Sequence, residues 1–277
     1  MSFKIVSDSA SNILRLPGVD YACVPLKIIT DQKEYVDDEN LDVSQMVSDL
    51  RQYKGKSGTS CPNVQEWITA FGDAKYIVAI AITSNLSGSC NAAFQAKQQY
   101  EQEHPGAKVL VVDTLSAGPE MGLIVEKAKE LILQKLPIEQ IGERLEAYRQ
   151  KTHLLFSLES LNNLARNGRC SPAVAKIAGV LGIRVVGRAS DVGTLEQLHK
   201  CRGEKKALDT IFSEMVSRGF QGCKVRIAHC LNSPAATRLK DAILSAFPKS
   251  DIHIEATTAL CSFYAEQGGL LIGFESL

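Results

Sequence analysis

The stretch YIVAIAITSNLSGS, residues 76–89, carries the strongest structural signal in this sequence. Its first half, residues 76–82, is an unbroken apolar run of strand length, which is typical of a strand buried on both faces. Its second half is rich in hydroxyl side chains, and residues 91–97 then read as a helix. The stretch therefore predicts a strand, a polar turn and a helix start. The free backbone N–H groups of a helix start suit an oxyanion such as a carboxylate or a phosphate.

Strands and helices alternate on both sides of this stretch. Strands are predicted at residues 3–7, 21–29 (interrupted by Pro25), 76–82 and 108–112, and helices at 43–53, 64–71, 89–100, 118–133 and 137–149. This order predicts an α/β fold whose first domain is a mostly parallel sheet with helices on both faces.

A second α/β unit is predicted after residue 150, which gives domains at 1–150 and 151–277. Its predicted strands are 153–157, 184–186, 194–199, 224–229, 251–256 and 269–274, and its helices are 161–166, 173–180, 205–217 and 234–246. The turn at 190–193 joins two of these strands as a hairpin. A mixed sheet with helices is expected.

Composition and motifs exclude several classes of protein. The 277 residues contain 31 Lys and Arg and 31 Asp and Glu, so net charge gives no signal for nucleic acid. No apolar stretch is long enough to span a bilayer, and the first residues enter a strand without a signal-peptide layout, so we expect a cytoplasmic protein. The eight cysteines include no C-x-x-C pair, and we find no P-loop, H-E-x-x-H or G-x-S-x-G motif. We therefore expect no metal, no cofactor and no catalytic nucleophile.

Polar turns follow several of the predicted strands or precede helices. The candidate ligand-binding residues in these turns are Asp8, Ser9, Thr59, Ser60, Ser87, Gly88 and Ser116. Because the carboxyl ends of parallel strands meet at one edge of a sheet, these turns would form a polar rim there. The alternative is that each polar side chain only caps a helix.

Two basic segments are further candidates. Arg169 lies in the turn Asn167-Gly168-Arg169, where its guanidinium would pair with a carboxylate or with a partner's phosphate, unless it is an ordinary surface arginine. Arg202, Lys205 and Lys206 lead into a helix and form either a solvated face or a partner-docking surface.

An ordered set of short motifs resembles the DegV family. The motifs are DSA at 8–10, VPL at 24–26, Thr59-Ser60 before Pro62, LSG at 86–88, NGR at 167–169 and KCRGEKK at 200–206. DegV proteins are similar to the fatty-acid-binding subunits of bacterial fatty acid kinase. The resemblance implies a protein that buries an acyl chain in a tunnel and presents its carboxylate to a kinase catalytic subunit, which forms the acyl phosphate.

The resemblance also implies roles for individual residues. Thr59 and Ser87 would hydrogen-bond the carboxylate, and Arg169 would take part in the same site. The chain departs from the family pattern at Cys61, where the family usually has Gln, and at Tyr264, where it has His. A phenol donates one hydrogen bond but carries no positive charge near neutral pH, so the chain could use a different ligand or no kinase.

Three functions remain open at this point. We favour a non-catalytic protein that binds a long-chain fatty acid such as palmitate and hands it to an acyl kinase. The alternatives are a lipid-sensing or regulatory protein without a kinase, and an acyl or phosphoryl transfer enzyme that uses Ser87 or Asp8 but has no evident general base. The predicted tunnel is lined by small and apolar residues, namely Ala92, Ala93, Ala117, Met121 and Ile124.

Overall fold

The computed structural model describes residues 3–171 and 182–277. The strands are β1 Phe3–Asp8, β2 Asp20–Val24, β3 Lys27–Thr30, β4 Glu34–Val36, β5 Ser57–Ser60, β6 Tyr76–Ala81, β7 Lys108–Asp113, β8 Thr152–Leu158, β9 Ile183–Ala189, β10 Leu195–Arg202, β11 Lys224–His229, β12 Asp251–Ala256 and β13 Leu270–Glu275. The helices are α1 Val43–Gln52, α2 Val64–Phe71, α3 Ser89–Glu103, α4 Gly118–Leu133, α5 Ile138–Arg149, α6 Asn162–Arg166, α7 Glu204–Ser217, α8 Ser233–Ala246 and α9 Ala259–Ala265. The helix predicted at 173–180 lies outside the described residues.

The first sheet is parallel and contains β6, the strand predicted from the apolar run at residues 76–82. Its order is β2–β1–β6–β7, so β6 has a neighbour on each side. Alternate side chains of β6 point to opposite faces: Ile77 and Ala79 pack against α2 and α3, whereas Val78 and Ile80 pack against α4 and α5. Burial on both faces is the reason for the unbroken apolar run, and the predicted parallel sheet with helices on both faces is confirmed.

A small antiparallel sheet, β4–β3–β5, changes the interpretation of the polar residues at 57–60. Residues 57–60 form strand β5, in which Thr59 pairs with Ile28 of β3, so the predicted polar turn at a helix start is wrong. Helix α2 has its own cap, because the Asn63 side chain accepts a 2.9 Å bond from the Glu66 N–H and the Glu66 carboxylate accepts a 2.7 Å bond from the Asn63 N–H. Pro62 therefore precedes this cap.

The second half of the chain forms a mixed sheet in the order β10–β9–β8–β13–β11–β12. β11 and β12 are parallel, and the other neighbours are antiparallel, including the predicted hairpin of β9 and β10. Helices α7 and α8 cover one face with Ile211, Met215, Leu239 and Ile243. The predicted mixed sheet with helices is confirmed.

Helix α4 lies between the two large sheets. A methyl group placed on Gly273 of β13 would lie 2.5 Å from the backbone nitrogen of Glu120, so the backbone of α4 packs directly on this strand. Arg226 of β11 also forms two 2.8 Å bonds with the carboxylate of Glu126 in α4. Since a helix from the first half packs on the second sheet, the division into domains 1–150 and 151–277 stays a prediction.

Candidate functional site

An apolar cavity of about 90 Å³ lies between the parallel sheet, β5, the mixed sheet and α9. Its deepest walls are buried apolar side chains, among them Leu26, Ile82, Phe156 and Leu260. Four polar residues also line it, and they are Thr59, Ser87, Arg169 and Tyr264. All four are partly buried, and the part of the wall that they form is called the polar end of the cavity.

Thr59 and Tyr264 are joined by a 2.7 Å hydrogen bond between their hydroxyl groups. Thr59 is held on β5 by pairing with β3, and Tyr264 lies near the end of α9. Burial raises the pKa of the Tyr264 phenol, while the bond to Thr59 and the positive charge of Arg169 act to lower it. The phenol is therefore neutral near neutral pH, and the two hydroxyls form a donor pair for an anion.

Arg169 connects the chain segments around this pair. Its Nε donates to the carbonyl oxygen of Leu86 at 3.1 Å, next to Ser87, and its guanidinium also donates to the carbonyl of Asn167. Gly168 has a φ of +74°, a conformation that glycine adopts without strain. The turn at 167–169 thereby places the guanidinium of Arg169 beside the Ser87 segment and near Tyr264.

The Ser87 segment is a tight turn at the start of α3. The N–H groups of Leu86 and Ser87 donate to the carbonyl of Thr83, and the Ser87 hydroxyl accepts a 3.3 Å bond from the Ser89 N–H. Gly88 is the N-cap residue, where α3 has no side-chain cap. A methyl group on Gly88 would lie 3.2 Å from the sulfur of Cys61, so glycine allows the turn to approach the residues after β5 closely.

Asp8, Ser9 and Ser116 do not line this cavity. The Asp8 carboxylate accepts bonds from the Ile82 N–H at 3.0 Å and the Ser89 hydroxyl at 2.7 Å, and the Ser9 hydroxyl accepts from the Leu26 N–H at 3.0 Å. The Ser116 hydroxyl bonds to the buried carboxyl of Glu120. Fewer of the predicted rim residues therefore line the cavity than the sequence suggested, because these three side chains bond to neighbouring parts of the fold.

The remaining candidates also lie outside the cavity lining. The Ser60 hydroxyl donates to the Cys61 carbonyl at 3.3 Å. Arg202, Lys205 and Lys206 are exposed at the end of β10 and the start of α7. The cavity reaches β10 at Leu195, seven positions earlier, or roughly 20 Å along the strand from Arg202. The three basic side chains are thus not neighbours of the polar end, and their docking role stays a prediction.

The tunnel wall predicted from small residues is mostly wrong. Only Ala117 of that set lines the cavity. Ala92 and Ala93 of α3 pack in the core with α2, and Met121 and Ile124 of α4 pack in the core with α5. These residues are small or apolar because helices press closely on both faces of the sheet.

Asp37 is a residue that the sequence analysis missed. Its buried carboxylate accepts bonds from the N–H groups of Ala259 at 2.6 Å and Leu260 at 3.1 Å, and thus caps α9, the helix that carries Tyr264. Burial raises its pKa to about 6 and that of Asp8 to about 7. No local pattern links residue 37 to residue 259, so only the tertiary structure identifies this cap.

The arrangement suits binding better than catalysis. Two hydroxyls, a phenol and a guanidinium would hold a carboxylate by charge-assisted hydrogen bonds. Within residues 3–171 and 182–277, the Ser87 hydroxyl accepts its hydrogen bond from a backbone N–H group. Over the same residues, no helix is long and apolar enough to cross a membrane.

Several known proteins are similar to this chain over nearly its whole length. A DegV domain-containing protein of Streptococcus pneumoniae is 42% identical over 279 residues, which cover 99% of each chain. A DegV family protein from Eubacterium eligens, solved with heptadecanoic acid, has 42% identity and a TM-score of 0.97 over 99% of this chain and 100% of its own. The Fatty Acid Kinase (Fak) B3 protein of Streptococcus pneumoniae, solved with linoleic acid, has 42% identity and a TM-score of 0.97 over 99% of both chains. The profile described as "Uncharacterised protein, DegV family" matches residues 2–276, and this chain belongs to the DegV family.

Proposed function

We propose that this protein binds a long-chain fatty acid and presents its carboxylate to a partner acyl kinase for phosphorylation. One observation carries the proposal: Thr59, Ser87, Arg169 and Tyr264 line an otherwise apolar cavity. Similar DegV structures contain heptadecanoic acid and linoleic acid, which have the same combination of a carboxylate and an apolar chain.

The acyl chain supplies most of the affinity. Burial of an apolar chain contributes roughly 0.8 kcal/mol per methylene, or about 11 kcal/mol gross for palmitate. Loss of ligand freedom offsets part of this. The cavity of about 90 Å³ is smaller than typical ligand pockets, at roughly 300–1,000 Å³. The acid therefore has to displace lining side chains such as Leu154, Leu195 and Leu271, which further reduces the net affinity.

The carboxylate lies against the hydroxyl pair in this proposal. Thr59 and Tyr264 share one hydroxyl proton in their mutual bond, which leaves the other hydroxyl proton free to be donated to an anion. Ser87 adds a third hydroxyl, and Arg169 adds a positive charge close by. A neutral phenol at position 264 holds the carboxylate by a hydrogen bond and leaves it ionised, so a carboxylate oxygen is able to attack the γ-phosphorus of ATP on the partner, with ADP as the leaving group.

The kinase step belongs to a partner in this proposal. The name of the Fak B3 protein links a similar chain to fatty acid kinase. Our sequence has no nucleotide-binding motif, so the partner supplies ATP, metal ion and chemistry. The basic residues Arg202, Lys205 and Lys206 are a candidate docking surface, and Arg169 lies nearer to the carboxylate.

Two experiments test the proposal in sequence. Native mass spectrometry of the purified protein is expected to show one added C14–C18 fatty acid. A mixture with a fatty acid kinase catalytic subunit, ATP and labelled palmitate is then expected to form acyl phosphate. Ser87→Ala should weaken both signals, whereas Ser84→Ala, at an exposed hydroxyl in the same turn, should change neither.

Each result separates the candidate functions. Fatty acid binding without acyl phosphate would favour a lipid-sensing protein, the alternative that Tyr264 in place of the family's His raises. Covalent acylation of Ser87 would favour an acyl transfer enzyme. Absence of any bound or added fatty acid would contradict the proposal.

A further inference from the structure

A second cavity, of about 230 Å³, lies at the start of β8, and Leu154 of β8 contributes to the walls of both cavities. Three arginines from separate elements line it: Arg149 at the end of α5, Arg188 on β9 and Arg218 directly after α7. Their side chains are 20%, 23% and 21% exposed, so each guanidinium lies mostly within the protein. The three guanidinium groups thus line one cavity, and each is also paired with a carboxylate.

Each arginine retains donors that its carboxylate partner does not use. Arg188 donates from Nε to Glu196 at 2.7 Å and from one terminal nitrogen to Asp191 at 3.0 Å. Arg218 donates from one terminal nitrogen to Glu214 at 3.1 Å. Its Nε is buried and has no hydrogen-bond partner in the described part of the chain. The terminal nitrogens of these arginines therefore keep N–H groups that are not used by the carboxylates.

Two carboxyl groups also line the cavity and act against an anion. Glu120 accepts a 3.0 Å bond from Thr152 and a bond from Ser116, and burial raises its pKa to about 7, which weakens its charge. Asp191 is 90% exposed and already paired with Arg188. His153 in the same wall has its pKa lowered to about 4 by burial and by the charges of Arg218 and Arg188. The two arginines thus act electrostatically on His153, and Asp191 acts in the opposite sense.

We propose that this cavity binds a phosphate-sized oxyanion, either free phosphate or the phosphoryl group of a small monoester, through Arg149, Arg188 and Arg218. The planar guanidinium presents paired N–H donors that match two oxygens of a phosphate. The site is separate from the carboxylate-binding end and does not depend on the fatty acid.

Isothermal titration calorimetry with inorganic phosphate tests the site, with chloride at matched ionic strength as the blank. We expect saturable binding to the full-length protein. Arg218→Gln and Arg188→Gln should each weaken it by at least about tenfold, since each removes a hydrogen bond to a charged group. Arg15→Gln is the matched control, because Arg15 pairs with Glu39 at the surface far from the cavity lining, and it should bind like the parent.

Circular dichroism checks that each variant folds, and Arg149→Gln replaces any variant that does not. Phenyl phosphate titrated in parallel distinguishes the two sources: tighter binding than phosphate assigns a monoester, and weaker binding assigns free phosphate. Absence of saturable binding in the parent protein would overturn the proposal. Equal phosphate affinity in the parent and in folded variants of Arg188 and Arg218 would also overturn it.

Discussion

Two sets of polar side chains lie near the carboxyl ends of β1 and β6, and they differ in what their hydrogen bonds hold. The buried set, Asp8, Ser9 and Asp37, bonds mainly to backbone N–H groups. The cavity set, Thr59, Ser87, Arg169 and Tyr264, lines an apolar cavity and is partly exposed. Polar side chains thus hold the backbone in the buried set and face the apolar cavity in the cavity set.

The buried set holds the segments that carry the cavity set. Asp8 bonds to Ile82 and Ser89, on either side of the turn that contains Ser87. Asp37 caps the helix that carries Tyr264. Loss of a buried carboxylate should therefore affect folding first, whereas loss of a cavity hydroxyl should affect ligand affinity alone.

The largest expected effect is on stability, in Asp37→Ala. The substitution leaves the N–H groups of Ala259 and Leu260 buried without their acceptor, at a cost of about 1–3 kcal/mol each. Urea unfolding is expected to show a loss of about 3 kcal/mol or more in the free energy of unfolding. Asp20→Ala, at an exposed strand end, should change it by less than about 0.5 kcal/mol. Equal stability of the two variants would remove the distinction between the buried and cavity sets.

Ala117→Trp should abolish most fatty acid binding. Ala117 lines the cavity, and an indole at this position would occupy the space of about 90 Å³. We expect an affinity loss of more than about a hundredfold, or ~2.7 kcal/mol, by fluorescence competition. Ala92→Trp is the matched comparison. Ala92 lies on α3 and packs in the core, so overpacking there should instead lower the free energy of unfolding by about 1–3 kcal/mol. Unchanged affinity in a folded Ala117→Trp variant would place the acyl chain elsewhere.

Thr59→Val should weaken fatty acid binding by about tenfold to a hundredfold. It removes one hydroxyl from the pair with Tyr264 while keeping the shape of the side chain, and a hydrogen bond to a charged group is worth ~1.5–3 kcal/mol. Titration calorimetry of Thr59→Val, Tyr264→Phe and the double variant would give the coupling of the two hydroxyls. Additive losses would mean that the pair does not act as a unit on the carboxylate.

Asp8 should also contribute a pH dependence to the free energy of unfolding. Burial raises its pKa from 3.8 to about 7, so the folded protein holds this proton to higher pH than the unfolded chain does. Asp8 therefore makes the free energy of unfolding fall as pH rises from about 4 to about 7. Denaturant unfolding of Asp8→Asn across this range should show a smaller fall than the parent protein. An unchanged slope would mean that Asp8 is ionised throughout.

The sequence predicts most of the fold because the fold depends on local patterns. The apolar run at 76–82 and the polar turn after it identify β6 and the start of α3. Residues 57–60 were misassigned, because a short polar strand at a sheet edge has the same composition as a turn. Its partner β3 supplies the pairing that makes it a strand.

The candidate site is predictable only in part. Thr59, Ser87, Arg169 and Tyr264 come from the family resemblance, and the fold brings them to one cavity. The lengths of sequence between them, such as 205 residues from Thr59 to Tyr264, leave no local pattern that reveals their contact. Asp37 was missed for the same reason, and Asp8 was placed in the ligand site because a carboxylate after a strand serves binding and capping equally well.

A crystal structure of the complex with palmitate would show where the carboxylate lies. We expect it within hydrogen-bond distance of the hydroxyls of Thr59 and Ser87, with the acyl chain running past Ile82 and Phe156 and with Asp8 and Asp37 keeping their backbone partners. A carboxylate bound to Asp8 or Ser116, or an acyl chain outside the cavity that Thr59 and Tyr264 line, would contradict this expectation.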